Sequence, residues 1–360
     1  MSAAGSPGRI HRRPTRSLDG ASVGRLLREG DLSAAPAALN LLESTAPEES
    51  REAAALMREL SPRALGGEPG GHVIGVTGPP GAGKSTMLAA LIRHLRAHGY
   101  GTSEQPGAKI ASQAMIAVDP SSRRSGGALL GDRLRIALEK PDPGVFIRSS
   151  AAGERHGGLA RGTRNAAEAL AAAFEVVIVE TVGVGQAETE VADVADTVVV
   201  VVQPGSGDVL QFLKAGIMEI PDILVVTKAD MGRVAAATRR ELGAALGTLP
   251  GSPAGLPPTG VVSVSSLAPP SGFGELAELL GERWRSLCGD NRRALAERRT
   301  RARRAGALTD FVVEYGERGM RALGGRRAAE SLLADQDPGL AVTELVEVLR
   351  ERGGMPQPGP

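Results

Sequence analysis

Cysteine occurs once in this 360-residue chain, at Cys288. A lone cysteine excludes an intramolecular disulfide framework and any cysteine-based metal cluster. Histidine is nearly as scarce: His11, His72, His94, His98 and His156 are scattered without metal-ligand spacing. His94 and His98 stand four apart on an expected helix and read as a solvated pair. No apolar run approaches the length that crosses a bilayer, so no membrane association is expected. Neither sign of charge dominates, with 42 basic against 41 acidic residues. That balance argues neither for a nucleic-acid binder nor for a membrane-surface protein. Aromatic residues make up 2% of the chain, while Ala, Gly and Arg abound; we attach no functional meaning to that bias. Internal repeats are absent.

What is present falls into zones. Residues 1–18 contain no acid and carry Arg9, Arg12, Arg13 and Arg16, but Pro7, Gly8 and Pro14 spoil an amphipathic helix. The segment reads as a disordered tail of a cytoplasmic protein rather than a transit peptide. Residues 19–65 read as a helical arm, with Ser44 or Thr45 as a cap and Pro47 at a helix start. Gly66 to Gly71, GGEPGG, is a turn-rich linker. From there to Cys288, seven apolar runs alternate with helical segments: HVIGVTG, QAMIAVD, GVFIRS, EVVIVE, TVVVVVQP, DILVVTKAD and GVVSVSS. Continuous apolar runs are strands buried on both faces, which predicts an α/β fold with a mostly parallel, doubly wound sheet over 66–288. Loops at 99–108 and 247–259 look inserted. Residues 289–352 turn helical again, and 353–360 read as a second disordered tail.

The strongest motif is GPPGAGKS, Gly78 to Ser85, which fits G-x-x-x-x-G-K-[ST] between a strand and a helix. This is the phosphate loop of a P-loop NTPase. Gly78, Gly81, Ala82 and Gly83 turn backbone N–H groups toward phosphate oxygens, and the helix dipole adds to the attraction. Lys84 is expected at the β/γ-phosphates, Ser85 on Mg²⁺ and Thr86 near the α-phosphate. Further on, Thr227, Lys228 and Asp230 in LVVTKAD resemble the N-K-x-D element of GTPases. An Asp there accepts both N–H groups of guanine's edge, which adenine cannot supply. Thr227 stands where Asn is usual. Ser265 and Ser266, after the last run, are expected at the base edge.

Carboxylates at strand ends supply the remaining candidates. Asp119 closes the run QAMIAVD, and Asp132 follows a glycine-rich loop. In VIVETVGVGQAETE, Glu180 ends a buried strand and Gly183 opens a loop, in the place of the D-x-x-G element of Ras-like GTPases. Glu180 and Gln186 are the candidates for orienting the attacking water, with Gly183 on the γ-phosphate.

ETVGVGQAE, VDPSSRRSGGALLGD and PGSGDVLQFLKAGIMEIPDI together resemble the MeaB/ArgK/MMAA group of methylmalonyl-CoA mutase-associated GTPases, from about residue 22 to 350. The resemblance implies a GTP/GDP- and Mg²⁺-dependent chaperone for an adenosylcobalamin-dependent acyl-CoA mutase, gating cofactor loading and protecting or reactivating the mutase. A cobalamin adenosyltransferase is a further candidate partner. It also implies a homodimer held partly by the C-terminal helices, Mg²⁺-associated positions at Ser85, Asp119, Asp132 and Glu180, and a partner-facing switch with Asp208 and Lys214. The loop from Ala151 to Gly158 departs from the family's serine-rich pattern, so the chain reads as a divergent member whose mutase need not be the methylmalonyl-CoA enzyme.

Hydrolysis by such a site depends on positioning and electrostatics, and no arginine finger is assignable within the chain. Slow intrinsic turnover accelerated by the partner is expected. A metallochaperone GTPase would bring His-rich or Cys-containing segments, absent here, and a kinase of transport proteins would prefer ATP. The basic run NRRALAERRTRARRA lacks interleaved aromatics and reads as a solvated face or partner surface, not a nucleic-acid site. LAVTELVEVLRER has apolar residues at helical spacing suited to dimer or core packing.

Overall fold

The computed structural model describes residues 19–44, 46–119, 142–151, 161–181, 187–205, 221–247 and 257–357. All seven apolar runs form strands: β1 (His72–Thr77), β2 (Gln113–Asp119), β3 (Val145–Ala151), β4 (Val176–Thr181), β5 (Thr197–Val202), β6 (Ile223–Val226) and β7 (Gly260–Ser263). They make one sheet in the order β3-β2-β4-β1-β5-β6-β7. Every pairing is parallel. Successive side chains of a strand point to opposite faces, and both faces here are apolar. In β5, Val198, Val200 and Val202 enter one core, while Val199 and Val201 enter the other.

The helices named in chain order are α1 (Gly20–Arg28), α2 (Ala35–Glu43), α3 (Pro47–Glu59), α4 (Pro62–Leu65), α5 (Lys84–His98), α6 (Arg161–Ala171), α7 (Ala187–Val194), α8 (Arg233–Leu246), α9 (Phe273–Cys288), α10 (Arg292–Ala322), α11 (Arg326–Ala334) and α12 (Val342–Arg352). One sheet face is covered by α5 and α9. The other takes α6, α7 and the N-terminal helices, whose Leu27, Leu39, Leu56 and Met57 share a core with Val177 and Val179. Helices α1 and α3 approach closely because Gly20 carries no side chain; a Cβ there would lie 1.9 Å from the Glu52 carbonyl oxygen. Pro47 opens α3 as the sequence predicts. The expected Ser44 cap does not form: its hydroxyl accepts from the Ala46 N–H at 3.1 Å, one residue short of the helix. Thr45 lies outside the described residues.

The apolar spacing of LAVTELVEVLRER serves packing within the chain. Val342, Leu345, Val346 and Leu349 form a third core with Leu308 and Phe311 of α10. The basic run turns out differently from a solvated face. Arg293 is exposed, but Arg299 pairs with Asp196 at 2.6 Å and Arg303 pairs with Glu68 at 2.6 Å. The stem atoms of a long arginine pack while its fork makes bidentate bonds, so a basic helix can fasten one layer to another. The GGEPGG linker is fastened in the same way, since Arg299 donates to the Pro69 and Gly71 carbonyls.

Carboxylates sit just before three strands at the amino edge of the sheet. Glu175 accepts from the Ser112 N–H at 2.9 Å, Asp196 from Val73 at 2.8 Å and Asp222 from Val198 at 2.8 Å. Each accepts an N–H at the start of a neighbouring strand. Arg283 pairs with Asp222, as Arg299 does with Asp196. Beside them His72 is fully buried, 2.8 Å from both the Tyr100 hydroxyl and the Thr197 hydroxyl, and stacked 4.5 Å from the sole tryptophan, Trp284. Burial lowers its pKa to about 3, so the imidazole is neutral. Tyr100 belongs to the loop that looked inserted, and that contact ties the loop to the core.

Candidate functional site

At the opposite, carboxyl edge, the loops after β1, β6 and β7 lie together, near the end of β4. Ligands of open α/β sheets bind in that crevice, where the chain reverses direction across the sheet. The reversal falls beside β1, which lies between β4 and β5.

The loop after β1 is shaped by its glycines. Gly78 has φ 143°, and a Cβ there would meet the Val201 carbonyl oxygen at 2.3 Å, so no other residue fits. Gly83, at φ 86°, precedes α5 without offering a side-chain cap. The first turn of α5 therefore presents its N–H groups toward the loop, which suits an anion. Lys84 is buried, and its Nζ donates to the Gly78 carbonyl at 2.7 Å and the Pro79 carbonyl at 3.1 Å. The ammonium is thus held inside the loop's curve, over the place where the motif puts phosphates. Ser85 and Thr86 follow in the same first turn.

Ser85 and Glu180 are brought together. The Ser85 hydroxyl donates to Glu180 Oε1 at 2.9 Å, across 95 residues of sequence. Glu180 is the fifth residue of β4, paired with Val76 on one side and Ala117 on the other. It is 7% exposed, so its carboxylate stands at the crevice floor. Asp119 is the last residue of neighbouring β2, in register with Ala151. A hydroxyl and a carboxylate are hard oxygen donors, which fits Mg²⁺: that ion takes one or two protein oxygens and completes its shell with water and phosphate.

On the other flank, Asp230 Oδ1 accepts from the Ser265 hydroxyl at 2.7 Å. Ser265 in turn accepts from the Leu267 N–H at 3.3 Å and is fixed by a two-way backbone bridge to Ser271. One carboxylate oxygen is steadied and the pair faces the same crevice. Lys228 adopts a left-handed conformation, φ 52°, and its Nζ reaches the Gly81 carbonyl at 3.4 Å. Ser266 lies next to this pair, half-buried. Thr227 does something the sequence did not suggest. Its buried hydroxyl lies 2.7 Å from the Ala82 carbonyl and 3.3 Å from that of Val202, bracing the phosphate loop against β5. The signal was a small hydroxyl in place of an amide at the end of a buried strand. Of the remaining sequence candidates, Asp132, Gly183, Gln186, Asp208 and Lys214 lie outside the described residues. Among the described residues no group of three or more His, Cys, Asp and Glu could hold a metal ion, and no helix is long and apolar enough to cross a membrane.

Several known proteins are similar to this chain. A putative GTPase of Pyrococcus horikoshii is 46% identical over 205 residues, 57% of this chain and 59% of that protein. The mitochondrial methylmalonic aciduria type A homolog of Caenorhabditis briggsae is 35% identical over 232 residues, 62% of this chain and 54% of that one. The matched stretch thus spans little more than half the length of these relatives. Among solved structures, one described as a LAO/AO transport system kinase superposes with a TM-score of 0.60 at 26% identity, covering 94% of this chain and 99% of that chain. The family model described as methylmalonyl Co-A mutase-associated GTPase MeaB matches residues 35–316. With that match running from the start of α2 to the break in α10 at Gly316, the chain belongs to the MeaB family of methylmalonyl Co-A mutase-associated GTPases.

Proposed function

We propose that this protein binds GTP with Mg²⁺ and hydrolyses it to GDP and phosphate. In doing so it would act as a G-protein chaperone that gates cofactor loading of an adenosylcobalamin-dependent acyl-CoA mutase and protects or reactivates it. The observation that carries the reading is the Ser85–Glu180 contact, which joins the phosphate loop to a carboxylate at the end of β4. Bound there, Mg²⁺ would neutralise charge on the phosphates, held by Ser85 and Glu180 with Asp119 and Asp132 as further oxygen donors. Lys84 counters charge developing on the transferred phosphoryl group, and the amides of Gly81, Gly83 and Ser85 fix its direction. Glu180 or Gln186 orients the attacking water, with Gly183 at the γ-phosphate. Asp230, steadied by Ser265, selects guanine by accepting its two edge N–H groups, and the Lys228 stem packs on the base.

The same reading assigns residues 19–65 to a helical arm, 66–288 to the GTPase domain and 289–352 to a homodimerisation region, in a cytoplasmic protein. Asp208 and Lys214 would report nucleotide state to the mutase. The name of the 26%-identical structural relative raises a second reading, a kinase, which would use ATP. The deciding measurement is phosphate release from GTP and from ATP, with and without cobalamin-dependent acyl-CoA mutases. Turnover of GTP alone, accelerated by one mutase, is expected. Equal use of ATP would sink the guanine assignment, and indifference to every mutase would sink the chaperone role.

A further inference from the structure

One element links the nucleotide edge to the far side of the molecule. Helix α7 begins at Ala187, seven residues after Glu180, and lies directly on β1 because Gly75 has no side chain. A Cβ at Gly75 would sit 2.5 Å from Val191 Cγ2 and 2.8 Å from Ala195 Cβ. The last turn of a helix leaves its carbonyls without intrahelical donors. Here Arg298 of α10 supplies one: Nη2 donates to the Ala192 carbonyl at 3.3 Å, and Nη1 to the carbonyl of Asp196, two residues past the helix, at 3.0 Å. The carboxylate of the same Asp196 is held by Arg299, through Nε at 2.9 Å and Nη2 at 2.6 Å. Arg299 then lies 5.9 Å over the ring of Trp284, which stacks on His72.

We propose that α10 reads the nucleotide state through α7, with Asp196 as the node and Arg298 as the positioning residue that couples the two helices. This rests on the reading of Glu180 as part of a GTP site. A change at Glu180 that shifts α7 along β1 moves the Ala192 and Asp196 carbonyls, and Arg298 and Arg299 follow because both are bonded to that end. Helix α10 carries the shift onward, since Leu308 and Phe311 belong to the C-terminal core. The joint has room to move. A cavity of about 60 Å³ lies between α6, α7 and α10, lined by Glu168, Asp193, Arg303 and Gly306 among others. Its walls are mostly apolar; among them Arg303 Nη1 pairs with Glu168 Oε1 at 3.5 Å, and Arg303 Nε makes no hydrogen bond. A fully packed interface would resist such a shift; this gap leaves α7 and α10 space for one.

Trp284 is the only tryptophan and therefore reports on the node directly. The test uses the full chain with GDP and with a non-hydrolysable GTP analogue, binding of each being measured by calorimetry. Trp284 emission is expected to differ between the two bound states. Arg298→Gln should lose that difference with both affinities unchanged, and Arg298→Lys should restore part of it. Gly306→Ala places a methyl 3.3 Å from Arg164 Nε, narrowing the cavity without touching Arg298. It should shrink the emission difference while raising the melting temperature. Identical emission in the two bound states, or a full difference retained by Arg298→Gln or Gly306→Ala, would overturn the coupling. If calorimetry shows neither nucleotide binding, the GTP site itself falls, and the coupling with it.

Discussion

The two edges of one sheet are built on opposite plans. At the carboxyl edge, glycines shape a loop around a lysine, and two carboxylates each accept from a serine hydroxyl. At the amino edge, carboxylates are spent on strand N–H groups and matched by arginines from α9 and α10. The first arrangement gathers charge around a crevice; the second pairs it inside the fold. Chemistry and stability are thus separated along the strands by about the length of six residues, roughly 20 Å. The difference shows that charged residues at strand ends of this chain carry no single meaning, and that which end they occupy decides what they do.

The comparison can be broken most severely at the amino edge. Arg299→Ala strands the buried Asp196 carboxylate, and losing one partner of a buried pair costs about 3–5 kcal/mol. Chemical denaturation should show that loss, whereas nucleotide binding at low temperature should survive it. Lys84→Ala strikes the other edge and should do the reverse. Turnover of GTP falls about 10²–10³-fold, or about 3–4 kcal/mol, while the denaturation midpoint stays put.

A pH series sharpens the contrast further. The buried His72 has its pKa lowered to about 3, against about 6.5 in an unfolded chain. Between those values the unfolded state binds a proton that the folded state lacks. Stability should therefore be insensitive to this group above pH 6.5 and fall as pH drops below it, by about 2 kcal/mol between pH 7 and pH 5. His72→Gln should flatten that slope in acid denaturation. An unchanged slope would mean that other groups govern acid sensitivity.

The smallest effect is expected at Thr227. Thr227→Val keeps the shape but removes the hydroxyl that braces the Ala82 carbonyl, at a cost of about 1 kcal/mol. Because the brace acts on the phosphate loop, both GTP and GDP should bind about fivefold more weakly, a ratio read by calorimetry. Selective weakening against ATP would instead return Thr227 to the base.

The seven strands were legible because burial on both faces forces runs such as VVIVE and TVVVVV, which few loops share. Gly78 to Ser85 was legible because a tight loop demands glycines at set offsets. Asp230 was legible from its distance to Lys228, and Glu180 from a carboxylate ending a buried run. The amino-edge carboxylates were printed just as plainly, as Glu175, Asp196 and Asp222 each precede an apolar run. Nothing local says that each accepts an N–H from a different strand. The arginine run of α10 misled for the same reason, since Asp196 and Glu68 lie far away in sequence. Tyr100 looked like part of an inserted loop because its partner, His72, begins another strand.

By itself the sequence determined the elements that obey local rules: continuous apolar runs in strands, positive φ at Gly78, Gly81 and Gly83, a proline opening α3. Tertiary structure alone decided the order in which the strands lie, with β4 inserted between β2 and β1. That order brings Glu180 to Ser85, Thr227 to Ala82 and Arg298 to the end of α7. A hydrogen bond is satisfied only within about 3 Å. Which distant groups come that close depends on the packing of the whole sheet, which no short stretch of sequence records.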